Sequence, residues 1–209
     1  FLAQSIRHIR FFVLLALVLA TVAGELSTDL RQEIDEILDE AVTVSRSRTP
    51  DADVEFSINL LVEIALRALS PGVNDTYTAV ACCDRISSAL AAPIAHGLRD
   101  GLRADGYGIA RLCIPNQTLE TILNTSFGPL RRASQGNVLM TRHILEALSR
   151  LGELADGDGL ELVQNHARLV IEEAEKMKLH DDDLTFLRRT GRPLLRRQVP
   201  LKPYSEFKA

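Results

Sequence analysis

The stretch Phe56-Ser57-Ile58-Asn59-Leu60-Leu61-Val62-Glu63-Ile64-Ala65-Leu66-Arg67-Ala68-Leu69-Ser70-Pro71-Gly72-Val73-Asn74-Asp75-Thr76-Tyr77-Thr78-Ala79 decides how the chain folds. Residues 54–69 read as a helix that is apolar over most of its circumference, which predicts burial in a bundle. Its polar members Asn59, Glu63 and Arg67 fall at i, i+4 and i+8. They form one stripe, with Glu63 ahead of Arg67 in the order that favours an ion pair. The stripe is either the exposed face or faces the corner that follows. At that corner Pro71 stops the helix, Gly72 is suited to the positive φ of a helix stop, and Asn74 or Asp75 caps the next helix. The second helix, about 75–90, has Ala79, Cys83, Ile86 and Leu90 as its core stripe.

Upstream, Phe11 to Ala23 is an uncharged apolar run of 13 residues. A spanning helix needs about 20. A short membrane helix, a buried core helix and a buried β-segment compete for it; the basic residues before it and acidic ones after it suit a membrane segment. Leu26, Leu30, Ile34, Ile37, Leu38, Ala41 and Val44 predict an amphipathic helix over 26–47. Residues 46–53 form a linker. A first residue of Phe rather than Met is expected of a fragment or a processed product.

Downstream, Pro93 is expected to break the second helix, with a short helix over 93–102. Asp105-Gly106-Tyr107-Gly108 predicts a turn. Ile109 to Ile114 alternates as a strand ending at Pro115, with residues 11–22 the available partner. Further helices are expected over 117–126, from the Gly128-Pro129 junction to about 152, and over 160–177, with a loop from Gly152 to Gly159. His180-Asp181-Asp182-Asp183 caps a last helix to about Arg189. The tail interleaves Arg188, Arg189, Arg192, Arg196, Arg197 and Lys202 with apolar residues. It reads as a solvated end or as a surface for an anionic membrane.

Composition narrows the chemistry. Aromatics are 5% and Trp is absent, so the core is aliphatic. A net charge of −4 is too small to imply a polyanion partner for the whole chain, and nothing suggests nucleic-acid readout. Cys82, Cys83 and Cys113 have no metal or disulfide spacing and read as reduced core thiols. The five histidines have no ligand spacing, although His143 and His166 lie on neighbouring helices. No metal, cofactor or catalytic residue is expected. What remains is the corner. Arg67, Ser70, Asn74, Asp75, Thr76, Thr78, Asp84 and Arg85 are the candidate ligand-binding residues, at a helix N-terminus that offers free N–H groups. The alternative is that these groups satisfy one another, with Arg67, Asp84 and Arg85 as an ion-pair network.

Leu61 through Asp75, with Thr76-Tyr77-Thr78-Ala79 and Asp84-Arg85 after it, closely resembles the signature of the DUF2254 bacterial membrane proteins. Arg48-Thr49-Pro50, Phe56, Asp105-Gly106 and the strand ending at Pro115 add to it. The similarity covers most of residues 10–150. It departs at Phe11–Ala23, which is uninterrupted here. The resemblance implies membrane association, a bacterial inner-membrane location and a soluble part on the cytoplasmic side, with no transferable catalytic residue.

The fold expected is mainly α, a helical bundle with a small β-element at about 109–114 that can pair with 11–22. Residues 1–24 form an apolar segment, 25–190 the helical domain and 191–209 a basic tail. The leading functional reading is non-enzymatic, a ligand-sensing or assembly module whose partners are the membrane, an unidentified ligand and a second copy of the chain. A channel or transporter part, and an enzyme with an anion or metal site at Ser70–Asp75, are the alternatives.

Overall fold

Apolar periodicity becomes six described helices in the computed structural model: α1 (Val54–Ala68), α2 (Thr76–His96), α3 (Leu119–Ala133), α4 (Val138–Leu154), α5 (Gly157–Lys176) and α6 (Asp181–Arg196). The structure describes residues 21–22, 27–29, 32, 36, 54–98, 102–104, 107–108, 110–113 and 117–198. The chain divides into two units, Phe1–Arg48 with Arg99–Asn116, and Thr49–Leu98 with Gln117–Ala209. The protein is mainly helical, and all six helices belong to the second unit.

In that unit α4 is the central helix, packed against α2, α5 and α6. It contributes Met140, Ile144, Leu145, Leu148 and Leu151 to a core they share with Ile86, Leu90, Phe127, Leu160 and Leu187. Burial of one such side chain stabilises by roughly 1.5–3 kcal/mol, so this aliphatic stripe holds the bundle. Helix α1 packs on α2 and α3 through Ile58, Val62, Ala65 and Ala68. It is not buried all round, contrary to the expectation from its composition. Leu60, Ile64 and Leu66 are exposed, and the Asn59–Glu63–Arg67 stripe lies on the outward side with Glu63 and Arg67 in water. Among the described residues α1 packs on α2 and α3 alone, which leaves its other side without a described neighbour.

Several helix ends differ from expectation, for one physical reason. Pro93 does not break α2, which runs on to His96; Pro129 lies inside α3 and Pro193 inside α6. An interior proline costs about 3 kcal/mol. Leu90 and Ile94 flank the first, and Phe127 and Leu130 flank the second, all buried. Two such burials match or exceed that cost. The short helix expected over 93–102 is absent from the described part of that range beyond His96. Helix α3 therefore continues through Gly128-Pro129, and the chain turns instead at Ser134–Gly136. The expected loop at Gly152–Gly159 shrinks to Ala155 and Asp156. Gly152 lies inside α4, and its lack of a side chain makes room for Leu194 on α6, with which a Cβ there would collide. His180 caps α6, its Nδ1 accepting from the Asp182 N–H at 3.3 Å. The helix then runs to Arg196 rather than Arg189, which puts Arg192 and Arg196 on a helix with Arg188 and Arg189.

In the first unit β1 (Thr21–Val22), β2 (Leu102–Ala104) and β3 (Ala110–Cys113) pair antiparallel in the order β1-β3-β2. Thr21 pairs with Cys113, Val22 with Leu112, and Arg103 with Leu112 on the other side. Strands of two to four residues are too short to form a layer of their own, and the architecture is set by the helices. The rest of the apolar run Phe11–Ala23 lies outside the described residues, as does the linker 46–53. Of the helix expected over 26–47, Thr28, Asp29, Gln32 and Glu36 are helical and the remainder lies outside the description except Ser27. Among the described residues no helix is long and apolar enough to cross a membrane.

Candidate ligand site at the helical corner

The corner between α1 and α2 is built by local hydrogen bonds. The Ser70 hydroxyl donates to the Arg67 carbonyl at 2.6 Å, and the N–H groups of Val73 and Asn74 both donate to the Ser70 carbonyl. The Asp75 N–H reaches back to the Ala68 carbonyl at 2.8 Å. Asn74, not Gly72, takes the left-handed conformation, with φ +50°. Asn tolerates that region better than other residues with a Cβ, so the glycine is not what turns the chain. Asp75 caps α2. Its Oδ1 accepts from the Thr78 N–H at 3.1 Å and its Oδ2 from the Thr78 hydroxyl at 2.5 Å. These Thr78 hydrogen bonds, side chain first, hold the carboxyl below the usual aspartate range.

The expected ion-pair network of Arg67, Asp84 and Arg85 does not form. Arg67 pairs with Glu63 at 3.5 Å on the exposed face of α1. Asp84 turns to α4, where its Oδ1 lies 2.9 Å from His143 Nε2 and 2.7 Å from Arg150 Nη2. Arg85 is exposed and makes no ion pair with a described residue. The helical period explains this: Asp84 follows buried Cys83 on the side that faces α4, and Arg85 is turned outward. His143 and His166 have different partners. His143 clasps α2, whereas His166 is buried 6.3 Å from the Phe127 ring centroid.

The structure brings Thr76 to a residue that sequence reasoning missed. Asn137 Nδ2 donates to Thr76 Oγ1 at 2.8 Å, while Asn137 Oδ1 accepts from the Met140 N–H and caps α4. The N-termini of α2 and α4 therefore meet side by side. Between them opens a cleft of about 520 Å³ lined by Leu69, Asn74, Thr76, Ala133, Gln135, Gly136, Asn137 and Val138. The cleft is shallow and open to solvent rather than enclosed. Asn74 and Thr76 of the expected set line it. Arg67, Ser70, Asp75, Thr78, Asp84 and Arg85 do not. The missed half had a sequence signal: Gly136-Asn137 ahead of an apolar run is a turn-and-cap pattern.

The lining is neutral throughout. It offers side-chain amides and a hydroxyl over a partly apolar floor, where the N-terminal ends of α2 and α4 meet the C-terminal ends of α1 and α3 and their partial charges offset. The chemistry it supports is hydrogen bonding rather than bond breaking. Cys83, nearby on α2, is pushed up to about 12 by burial first and Asp84 next, so its thiol is not a nucleophile. Among the described residues no cluster of His, Cys, Asp and Glu is arranged to hold a metal ion.

A second polar group is buried elsewhere. Arg131 on α3 pairs with Glu173 on α5, and Arg131 Nε, Glu173 Oε2 and His166 Nδ1 have no hydrogen-bond partner among the described residues. The cavity beside this pair is about 10 Å³, room for a water and nothing larger.

The chain is similar to uncharacterized proteins of Mycobacterium bovis and of Mycobacterium tuberculosis strains CDC 1551 and H37Rv. Each is 29% identical over 143 residues, which is 68% of this chain and 27% of the relative. The chain thus matches about a quarter of the length of these relatives. No solved structure matches it. A family described as predicted membrane proteins, DUF2254, matches residues 8–150, a span that holds the corner, both helix N-termini and the cleft between them; the chain belongs to that family.

Proposed function

We propose that this chain is a non-enzymatic ligand-sensing module of a membrane protein. Its ligand seats in the cleft between the α2 and α4 N-termini. The observation that carries this reading is the Asn137–Thr76 bond at the head of an open cleft of about 520 Å³ with no charged lining side chain. Such a lining suits a neutral ligand rich in donors and acceptors, such as a sugar, polyol or amide. An open, solvated cleft suits weak and exchanging occupancy, which is what a sensor needs. The buried free thiols of Cys82 and Cys83 suit a reducing compartment and hence the cytoplasmic face of a bacterial inner membrane. Catalysis at the corner would need a base, and Asp75, committed to the Thr78 cap and lowered by it, is a poor one.

A thermal-shift panel of neutral sugars, polyols and small amides tests the reading. A stabilising probe whose effect is lost in Gln135→Ala is the expected result. A panel that leaves the native chain unmoved counts against it.

Assembly is the second reading, and a separate observation favours it. Leu60, Ile64, Leu66, Val73 and Tyr77 are exposed along α1 and the corner. Sedimentation of the native chain and of Ile64→Glu over a range of concentrations distinguishes the two: association abolished by the substitution favours assembly.

A further inference from the structure

We propose that the outer face of α6, beyond its acidic first turn of Asp181, Asp182 and Asp183, is a docking surface for an anionic lipid bilayer. The chain carries a net charge of −4, yet no acidic residue occurs from Leu184 to Gln198, and five arginines do: Arg188, Arg189, Arg192, Arg196 and Arg197. Their spacing places the first four on one side. Arg188, Arg192 and Arg196 follow at i, i+4 and i+8, about 12 Å along the axis, with Arg189 in the adjacent row. The opposite side is sealed against the bundle by Leu187, Gly191 and Leu194. A Cβ on Gly191 would lie 2.7 Å from Ile171 Cδ1, so α6 sits close on α5 and presents its face in a fixed orientation.

Not all of these cations are available. Arg188 is held by Glu175 at 2.8 Å, and Arg197 donates to the Gly152 carbonyl. Arg189, Arg192 and Arg196 are exposed and make no ion pair with a described residue. Complementing the helix macrodipole accounts for a cation in the last turn, at Arg196, but not for Arg189 a turn and more earlier. Beside them Phe186 is 43% exposed, with Arg142 over its ring at 5.3 Å. Guanidinium groups with a half-exposed aromatic match the phosphate and glycerol layer of a bilayer. The chain belongs to a membrane-protein family, so such a surface lies within reach. The family match ends at residue 150, so α6 is outside it, and the inference is independent of the cleft.

Flotation of the full chain with phosphatidylcholine vesicles, with and without phosphatidylglycerol, tests the proposal. Binding that requires phosphatidylglycerol and weakens with salt is expected. Each arginine removed lowers it by roughly fivefold, so R189Q/R192Q/R196Q loses on the order of a hundredfold. The lysine counterpart R189K/R192K/R196K retains most of the binding, and circular dichroism of both variants matches the native chain. Equal binding to both vesicle types would mean apolar insertion and would overturn the proposal. Unchanged binding by the glutamine variant, or tight binding of the native chain to duplex DNA without binding to vesicles, would also overturn it.

Discussion

Asn137 and Thr76, 61 positions apart, are joined by a 2.8 Å hydrogen bond that ties the start of α4 to the start of α2. One amide does two jobs. Its oxygen caps α4 through the Met140 N–H, and its nitrogen fixes the neighbouring helix. The two jobs can be separated by substitution. Thr76→Val removes the acceptor for the amide nitrogen and leaves the Asn137 cap of α4 in place. Asn137→Ala loses both. Loss of a cap costs about 1 kcal/mol and loss of a part-buried hydrogen bond a further ~1 kcal/mol. Urea denaturation should therefore rank native above Thr76→Val above Asn137→Ala, and a Thr76→Val variant as stable as native would show the bridge to be worthless.

Asn74 holds its positive φ without a glycine. Asn74→Gly should leave stability within about 0.5 kcal/mol of native, because it relieves the left-handed strain while loosening the unfolded chain. Asn74→Val should cost about 1–2 kcal/mol. Gly72 has open space around it, so Gly72→Ala should be tolerated. Thermal denaturation of the three variants checks the order; a larger loss at Gly72 than at Asn74 would relocate the turn's constraint.

His166 is buried and its pKa is lowered to about 4, by burial first and by Arg131 next. The unfolded histidine binds its proton near pH 6.5. Between those values the unfolded state holds the proton and the native state does not. Stability from this residue is complete above pH 6.5 and is lost as the pH falls toward 4, by up to about 3 kcal/mol. His166→Leu should flatten that slope in urea melts taken across the window. A variant with the native slope would assign the acid sensitivity to other groups.

Gly191 sets how closely α6 approaches the bundle. A valine there must displace Ile171 and Leu145, whose side-chain ends lie 2.7 and 3.5 Å from its Cβ. The expected cost is about 1–3 kcal/mol. If calorimetry finds Gly191→Val as stable as native, the packing of α6 is looser than described.

Much of this arrangement was legible beforehand. Helical periodicity located α1, α2, α5 and the start of α6, and the corner stood out by composition. Helix ends were not legible, because Pro93 and Pro129 argue locally for a stop while the buried Leu90, Ile94, Phe127 and Leu130 beside them argue for continuation. Only the tertiary partners decide that contest. The exposure of Leu60 and Ile64 was hidden for a similar reason: an apolar surface does not reveal whether a neighbour exists to cover it. At the site, groups bonded within one turn, such as Asp75 with Thr78, follow from spacing alone. Asp84 with His143, and Thr76 with Asn137, join distant parts of the chain and follow only from packing α2 on α4.

The central claim is that the cleft between the two helix N-termini receives a ligand. Amide chemical shifts of the labelled full chain, titrated with the neutral sugar, polyol and amide panel, test it most directly. The expected result is a saturable change centred on Asn74, Thr76, Gln135, Gly136 and Asn137, with α6 unmoved. A panel that leaves those five amides in place, or moves them only together with the rest of the bundle, would contradict it.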